Sequence, residues 1–207
     1  TYSIGGVNPD FASFGDAVAA LNAAGVGCPV VFKVRDGVYD EQVKIFEVLG
    51  SSAVNTVRFE SESGDSSKAV LHYQQSNPAN DYTLSLSGTD YIVFSKLGIR
   101  RSAMGSSGGN MLIQNGSHHV TVENCWLGNV SSPGSSVDSM LVFRGNAMRD
   151  ADLRIDQVGG SKARGILIEG NMIRLIQVNN SYDVQVRLNE IGSIECNLDT
   201  MVIISNN

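Results

Sequence analysis

A short phrase of residues returns along the second half of the chain, and it restricts the possible folds more than any other feature. Its clearest copy, Val120 to Leu127, reads apolar-x-apolar-x-x-Asn/Cys-x-apolar. The copies begin at residues 92, 120, 141, 166, 184 and 202, so successive starts are 28, 21, 25, 18 and 18 residues apart. A period near 20 residues, with short strands and no helices between them, is typical of a β-solenoid. The sequence therefore predicts an all-β fold of stacked coils.

The sixth position of the phrase holds a restricted set of residues, which are Leu97, Cys125, Asn146, Asn171, Asn189 and Asn207. Asn tolerates the left-handed backbone conformation that a sharp bend between two strands requires. When coils stack, its amide can also hydrogen-bond the backbone of the neighbouring bend. We therefore predict a structural ladder of these asparagines, with Cys125 buried in the same row. Such a ladder resembles that of the right-handed parallel β-helices of the pectin-lyase-like superfamily, and the resemblance implies the same fold.

The composition indicates one globular domain and argues against two classes of partner. The chain has 207 residues, of which 42% are hydrophobic. Its formal net charge is −6, and basic residues do not cluster beyond pairs such as Arg100-Arg101. Nucleic acid is therefore not an expected partner, because phosphate binding needs a basic face. No apolar run has the length of a membrane span, so no membrane insertion is predicted.

One amphipathic helix precedes the strands and is expected to cap the first coil. Ser13 and Asp16 form a capping box, and Gly25 ends the helix. The apolar residues at helical spacing are Phe11, Phe14, Val18 and Leu21. An open first coil exposes strand edges, so it needs such cover. We predict a single β-helix domain over residues 1–207, with a cap at 1–28 that includes a helix at about 13–24, and coils at 29–207.

The two ends of the sequence suggest a segment of a longer protein. The first residue is Thr rather than Met, and Asn207 stops in the middle of a coil with no closing segment. An uncapped carboxyl-terminal coil exposes strand edges. We therefore expect that the parent protein continues or that another subunit covers this end, which would allow end-to-end self-association.

The amino-terminal third resembles a particular group of proteins. The similar segments are Tyr2–Gly6, Pro9–Ala12, Ala17–Asn22, Pro29–Phe32, Gly37–Gln42 and Ser51–Asp65. They look like the opening of β-helix domains in secreted proteins of Bacteroidetes-type bacteria. The resemblance covers about residues 1–100 in motif and the rest in repeat pattern, and it implies a secreted or cell-surface location.

Residues Gly37 to Glu41 also resemble the Gly-x-Tyr-x-Glu segment of pectin methylesterases, in which the glycine makes a turn and the tyrosine packs. The catalytic motifs of that family do not occur. The chain contains no Gln-Asp-Thr, no Asp-Phe-x-x-Gly and no Gly-Arg-Pro-Trp. This departure predicts that the chain lacks that esterase activity.

Three stretches that break the short period are predicted to project as loops on one binding face, namely 101–110, 128–138 and 149–164. The weak catalytic candidates are Asp150, Asp152, Arg154, Asp156 and Arg144. Pectate-lyase-like chemistry would use such carboxylates to bind calcium and an arginine as base or carboxylate clamp. The same pattern is typical of a solvated, salt-bridged surface, so no catalytic residue is assigned, and calcium is the one cofactor considered.

Three further residues are candidates for ligand binding, namely Trp126, Asp138 and Arg101. Trp126, the only tryptophan, is either a sugar-stacking platform or a packing residue, and Asp138 and Arg101 lie in the insertions. Strand alternation predicts that His118 and His119 point to opposite sides, so no metal site is predicted. The three cysteines, Cys28, Cys125 and Cys196, are odd in number, and the first and last are too distant in a solenoid to pair.

The main functional interpretation is a noncatalytic β-helix module of a secreted or cell-surface protein, acting as a stalk, adhesin or glycan-binding surface. It follows from the lack of a catalytic signature. The alternatives are a polysaccharide lyase or hydrolase acting on acidic glycans, and a protomer of a head-to-tail filament. Paired carboxylates facing one groove would favour the enzyme. A polysaccharide or cell-surface glycan is the expected partner.

Overall fold

A computed structural model of the protein describes residues 1–74, 82–101, 110–134, 137–157, 162–197 and 200–205. Within these residues the chain forms one helix, α1 (Phe14–Ala24), and twenty strands. The paired strands are parallel, and each strand lies beside the corresponding strand of the next coil. The predicted all-β, right-handed parallel β-helix is therefore confirmed.

Successive strands of a coil lie on three faces, which we name A, B and C in chain order. Face A contains β1 (Tyr2–Ile4), β2 (Val30–Val34), β5 (Val57–Ser61), β8 (Asp90–Ser95), β11 (His118–Glu123), β14 (Val142–Arg144), β16 (Ala163–Glu169), β18 (Ser181–Arg187) and β20 (Thr200–Ser205). Face B begins with β3 (Gly37–Asp40), β6 (Ala69–His72), β9 (Gly98–Arg100) and β12 (Trp126–Leu127). Face C begins with β4 (Val43–Phe46), β7 (Leu84–Ser87), β10 (Met111–Gln114) and β13 (Val130–Gly134).

In the later coils, a single long strand per coil runs along both face B and face C. These strands are β15 (Ala147–Gln157), β17 (Met172–Asn179) and β19 (Glu190–Asn197). The pairing of β15 with β17 shifts between Met148 and Asp152, which marks the bend from one face to the other. Two predicted loops are thus largely strand. The reason is that Val130, Leu153 and Ile155 alternate with outward residues and are buried in the core.

Stacked apolar side chains fill the interior. On face A, the rings of Phe32 and Phe59 have centroids 4.6 Å apart, and those of Phe59 and Phe94 are 5.5 Å apart. All three are buried, as is Phe143 further along the same face. Each such ring contributes about 1.5–3 kcal/mol by leaving water. The apolar positions of the phrase therefore form the core because they repeat in register from coil to coil.

The helix covers the first coils as predicted, with Phe14, Ala17, Val18 and Leu21 buried. Ser13 Oγ accepts a hydrogen bond from Asp16 N at 3.0 Å, which is half of the predicted capping box. The Glu41 carboxylate caps two other main-chain groups of the first turn, since it accepts bonds from Phe14 N and Gly15 N at 3.1 and 2.8 Å. Phe11 lies outside the helix, because its backbone pairs with Ile4.

The corner between faces A and B carries the predicted row of buried amides. Asn171 Oδ1 accepts hydrogen bonds from Asn146 N and Nδ2 at 2.8 and 2.9 Å. Asn189 Oδ1 accepts the equivalent bonds from Asn171 at 2.9 and 3.0 Å. The Nδ2 groups of Asn146 and Asn171 donate to the carbonyls of Val122 and Phe143 on the preceding coil. Each amide thus joins adjacent coils, and Asn207 lies outside the described residues.

Our account of the backbone at this corner was wrong in one respect. The left-handed residue is the one before the sixth position, namely Lys96, Asn124, Gly145, Gly170 and Leu188, with φ of 53–64°. The amides of Asn146, Asn171 and Asn189 are therefore used for hydrogen bonding rather than for backbone tolerance. Cys125 continues the row as a buried residue, and burial raises the pKa of its thiol to about 12. It is a neutral packing group.

Candidate functional site

The corner that leads from face C into face A also has a left-handed residue in each of five successive coils. These residues are Tyr91, His119, Met140, Gly165 and Asp183, with φ of 53–66°. A residue in this conformation interrupts the alternation of the strand, as a bulge does. Both it and the residue before it then face outward, while the next residue, such as Val120, is buried. His118 and His119 therefore face the same side, which corrects the prediction of opposite sides.

Four successive coils form a pocket at this corner. It has a volume of about 270 Å³ and is lined by Asp90, Tyr91, His118, His119, Ser139, Met140 and Arg164. The strand register creates it, because Asp90 pairs with His118, His118 with Ser139, and Ser139 with Arg164. Coils in such a stack are about 4.8 Å apart. The repeat thus turns residues far apart in sequence into one polar row.

Ser139 and His118 form the closest polar contact in this pocket. His118 Nδ1 lies 2.6 Å from Ser139 Oγ, which is hydrogen-bond distance between an imidazole and a hydroxyl. Both residues are anchored through the backbone. His118 N donates to Asp90 Oδ1 at 2.8 Å, and Ser139 N donates to Ser117 O at 3.1 Å. Since Asp90 contacts the main chain rather than the imidazole, the arrangement is a Ser–His dyad.

An aromatic surface and a cation border the dyad. The rings of Tyr91 and His119 stack with centroids 4.3 Å apart and an interplanar angle of 8°. Each ring covers one face of the other; His119 is the more exposed of the two, and an aromatic face that the stack leaves open can pack against a sugar ring. Arg164 lies on the other side of Ser139 and is exposed. It forms no ion pair within the described part of the chain, so its guanidinium can receive an anionic group.

A buried carboxylate supports the pocket from beneath. Asp138 is 0% exposed, and its Oδ1 accepts hydrogen bonds from Gly116 N and Ser117 N at 3.0 and 2.8 Å. Its Oδ2 accepts one from Ser132 Oγ at 2.8 Å. These bonds fix the loop immediately before His118 and the residue immediately before Ser139. Asp138 is therefore a structural residue of the corner, in contrast to its predicted place on a ligand-binding surface.

The predicted acid and arginine candidates do not form one site. Arg144 lies on face A and pairs with Glu169 at 3.0 Å, whereas Asp152 and Arg154 lie on face C. Asp152 is only 3% exposed, and its carboxylate lies 2.9 Å from Arg154 Nη2 and 2.7 Å from Arg174 Nη2. Its main-chain N–H donates to Asn129 Oδ1 at 3.0 Å. Asp152 is thus held as a structural ion-pair centre.

The possible calcium site has no support in the geometry. Both oxygens of the Asp152 carboxylate face arginines, and Asp150 and Asp156 are exposed and lie on either side of it. The described residues contain no group of three or more His, Cys, Asp or Glu that could hold a metal ion. The candidates Asp150, Asp152 and Asp156 therefore do not fit this cation, which needs six to eight oxygen ligands.

Trp126 lies on face B, away from the pocket, and is 37% exposed. The Arg100 guanidinium carbon is 3.6 Å from the centroid of its ring. The tryptophan thus has both a packed and an open part. Arg101, which follows Arg100 in sequence, is half-buried, and the first predicted loop lies mostly outside the described residues.

The residues that line the pocket escaped the sequence prediction, although the repeat carries a signal for them. Phrase copies start at 92, 120, 141 and 166, and the two residues before each start are the outward pairs of the corner. Asp90, Tyr91, Ser139 and Arg164 are all found this way. Only the left-handed backbone, which sequence alternation does not reveal, turns both members of each pair outward.

Comparisons with known proteins give a fold likeness. No family model matches the sequence, and no curated protein matches it. A pectin methylesterase from Aspergillus niger in deglycosylated form has a TM-score of 0.55 at 10% identity, over 99% of this chain and 83% of that one. A pectin methylesterase mutant in complex with a hexasaccharide gives 0.56 at 12%, over 97% and 67%. Pectin methylesterase PemA from Erwinia chrysanthemi gives 0.52 at 12%, over 94% and 81%.

This likeness overturns the main functional interpretation. The prediction of a noncatalytic stalk, adhesin or glycan-binding module is wrong, because the solved structures that the chain resembles are pectin methylesterases, which are enzymes. At 10–12% identity the likeness itself establishes the fold alone. No helix in the described part of the chain is long and apolar enough to span a membrane.

Proposed function

We propose that this protein is a carbohydrate-active hydrolase that cleaves carboxylic esters on an acidic polysaccharide, with Ser139 as nucleophile and His118 as general base. The observation that carries the proposal is the 2.6 Å contact between Ser139 Oγ and His118 Nδ1 in a pocket shared with Arg164. A hydroxyl becomes a useful nucleophile when an adjacent base can take its proton. The fold likeness to pectin methylesterases, whose name denotes esterases of pectin, supports the same class of substrate.

The reaction runs in two steps. Ser139 Oγ attacks the ester carbonyl carbon while its proton moves to His118 Nδ1, and the C–O bond to the alcohol breaks as His118 returns that proton to the leaving oxygen. Water then attacks the acyl group on Ser139, giving its proton to His118, and the ester bond to Ser139 breaks with return of the proton to Oγ. The products are an alcohol and a carboxylic acid. The imidazole must start neutral with Nδ1 unprotonated.

Substrate binding follows from the walls of the pocket. A sugar ring packs against the stacked Tyr91 and His119 rings, and the Arg164 guanidinium pairs with a sugar carboxylate. The proposal differs from the chemistry implied by the pectin methylesterase motifs, because those motifs do not occur here. It assigns ester hydrolysis to other residues on the same kind of scaffold, and it thereby replaces the prediction, made from the missing motifs, that the chain lacks esterase activity. A polysaccharide substrate also favours an extracellular location.

The test is ester hydrolysis measured by acid release at constant pH, with methyl-esterified and acetylated pectins as substrates. Ser139→Ala and His118→Gln should each lower kcat by at least about 100-fold, which is the lower range for loss of a general base or its nucleophile. Ser131→Ala is the matched control, since that serine lies on face C away from the pocket. Full hydrolysis by Ser139→Ala, or no hydrolysis by the unaltered protein on either ester, would contradict the proposal.

Arg164→Gln separates binding from chemistry. It should raise KM for the acidic polysaccharide by about tenfold, the typical loss for one charge-assisted contact, and leave kcat within about twofold. An unchanged KM would remove Arg164 from the proposed site while leaving the Ser139–His118 assignment in place.

A further inference from the structure

Face B carries an arginine that is held flat against an aromatic ring. Arg100 ends β9 and Trp126 begins β12, on neighbouring coils in which Trp126 pairs with Gly98. The guanidinium carbon lies 3.6 Å from the indole centroid, well within cation–π range. The stacking restricts the arginine to one orientation.

Arg100 has no carboxylate partner within the described residues, a property that it shares with Arg164 and that distinguishes it from six other surface arginines. Those that contact an Asp or Glu are Arg35, Arg58, Arg144, Arg154, Arg174 and Arg187. Arg100 makes no ion pair with any residue that the structure describes. Burial lowers the pKa of its guanidinium from the usual value, and Asp150 acts in the opposite direction. Arginine stays charged under such shifts, so an oriented cation with unused N–H donors remains.

We propose that Arg100 and Trp126 form a second binding site, which takes a carboxylate-bearing sugar such as a uronic acid unit of a polysaccharide. The N–H groups of Arg100 bind the carboxylate, and the exposed part of the indole packs against the apolar side of the sugar ring. Stacking on Trp126 orients Arg100 before the ligand arrives, which reduces the ordering that binding requires.

This site is separate from the pocket. His118 and Trp126 are at opposite ends of β11 and its following corner, and the strand from His118 to Glu123 spans about 17 Å. The inference therefore does not depend on the hydrolase proposal. A polysaccharide bound at face B would stay attached to the protein whatever happens at Ser139.

Intrinsic fluorescence tests the proposal directly, because Trp126 is the only tryptophan in the chain. The probe is a hexamer of galacturonic acid, and a neutral cellulose hexamer is its matched control. We expect a saturable change in Trp126 emission with the acidic hexamer alone. Arg100→Gln should weaken the binding by at least about tenfold, and the effect should shrink as salt is raised. Arg144→Gln, which removes an exposed face A arginine, should leave it unchanged.

The outcomes separate the two proposals. Ser139→Ala should abolish ester hydrolysis and leave the Trp126 titration intact. Arg100→Gln should weaken binding in the Trp126 titration and leave ester hydrolysis unchanged. Trp126→Phe, followed by calorimetry, checks that the ring contributes to affinity even where fluorescence is lost. No emission change with the acidic hexamer, equal binding of the neutral hexamer, or undiminished affinity of Arg100→Gln would each overturn the second site.

Discussion

Both corners that flank face A place one left-handed residue in each of five successive coils, yet they use their polar side chains in opposite ways. At the corner between faces A and B, the asparagine amides point inward and bond the adjacent coils. At the corner between faces C and A, paired residues point outward and form the pocket of His118 and Ser139. The comparison teaches that one backbone device stabilises the coil stack where its side chains point inward, and that it brings the residues of the proposed hydrolase site together where they line a surface pocket.

The enclosed corner leaves no polar capacity for a ligand. The amide of Asn171, for example, accepts two hydrogen bonds on Oδ1 and donates two from Nδ2, and the residue is only 2% exposed. In the open corner, by contrast, the hydroxyl of Ser139 and the imidazole of His118 bond each other and line a cavity. Substitutions at the two corners should therefore separate stability from activity.

The largest expected effect on stability is at Asn171. Asn171→Ala removes the acceptor for Asn146 N and the donor to Phe143 O, and leaves buried backbone groups without partners. We expect a loss of about 3 kcal/mol in the free energy of unfolding. Urea denaturation measures it, with the exposed helix substitution Asn22→Ala as control, which should change stability by less than about 0.5 kcal/mol. A loss below 1 kcal/mol would show that the amide row is not a main stabilising element.

Asp138→Ala sharpens the comparison because this buried carboxylate belongs to the open corner. Its loss leaves the Gly116 and Ser117 main-chain N–H groups without their acceptor, and we expect the free energy of unfolding to fall by about 2 kcal/mol. Ester hydrolysis should fall as well, even at temperatures where the variant stays folded, because the segments before His118 and Ser139 lose their anchor. Circular dichroism and the hydrolysis assay give the two readouts. Unchanged kcat in the folded variant would contradict the positioning role.

The smallest effect is expected on the outer surface of face A. Burial raises the pKa of Glu60, but the hydrogen bonds from Lys33 and Arg58 outweigh it, so the pKa lies below its usual 4.5. Its stabilisation is present above pH 4.5 and is lost as pH falls through the folded-state pKa. Glu60→Gln should cost less than about 1 kcal/mol at pH 7, and this cost should shrink as pH falls through the folded-state pKa of Glu60. A cost that does not shrink as pH is lowered would show a cause other than charge.

The architecture could be predicted from the repeat, because its apolar positions and its asparagines recur in register. It did not reveal that Gly145 and Gly170, rather than the asparagines, take the left-handed conformation. Nor did it reveal that Val130 and Leu153 continue strands through segments that look like loops. Local composition favoured loops there, whereas pairing with neighbouring coils decided the outcome.

The candidate site was harder to predict for a physical reason. Asp152 and Arg154 are close in sequence, which made them candidates for a site, but in the structure they form an ion pair with each other. Ser139 and His118 are 21 residues apart and meet only through coil stacking. The two residues before each phrase both face outward, because the second of them, such as His119, has a left-handed backbone conformation. This arrangement brings Ser139 and His118 together.

The most direct test of this account is labelling of Ser139 with an active-site-directed fluorophosphonate, followed by peptide mass spectrometry. An activated serine forms a covalent adduct with such a reagent, whereas an ordinary serine does not. We predict one adduct on Ser139 in the unaltered protein and at least about 100-fold slower labelling in His118→Gln. Absence of an adduct on Ser139, or labelling that does not depend on His118, would contradict the claim that the open corner supplies the chemistry.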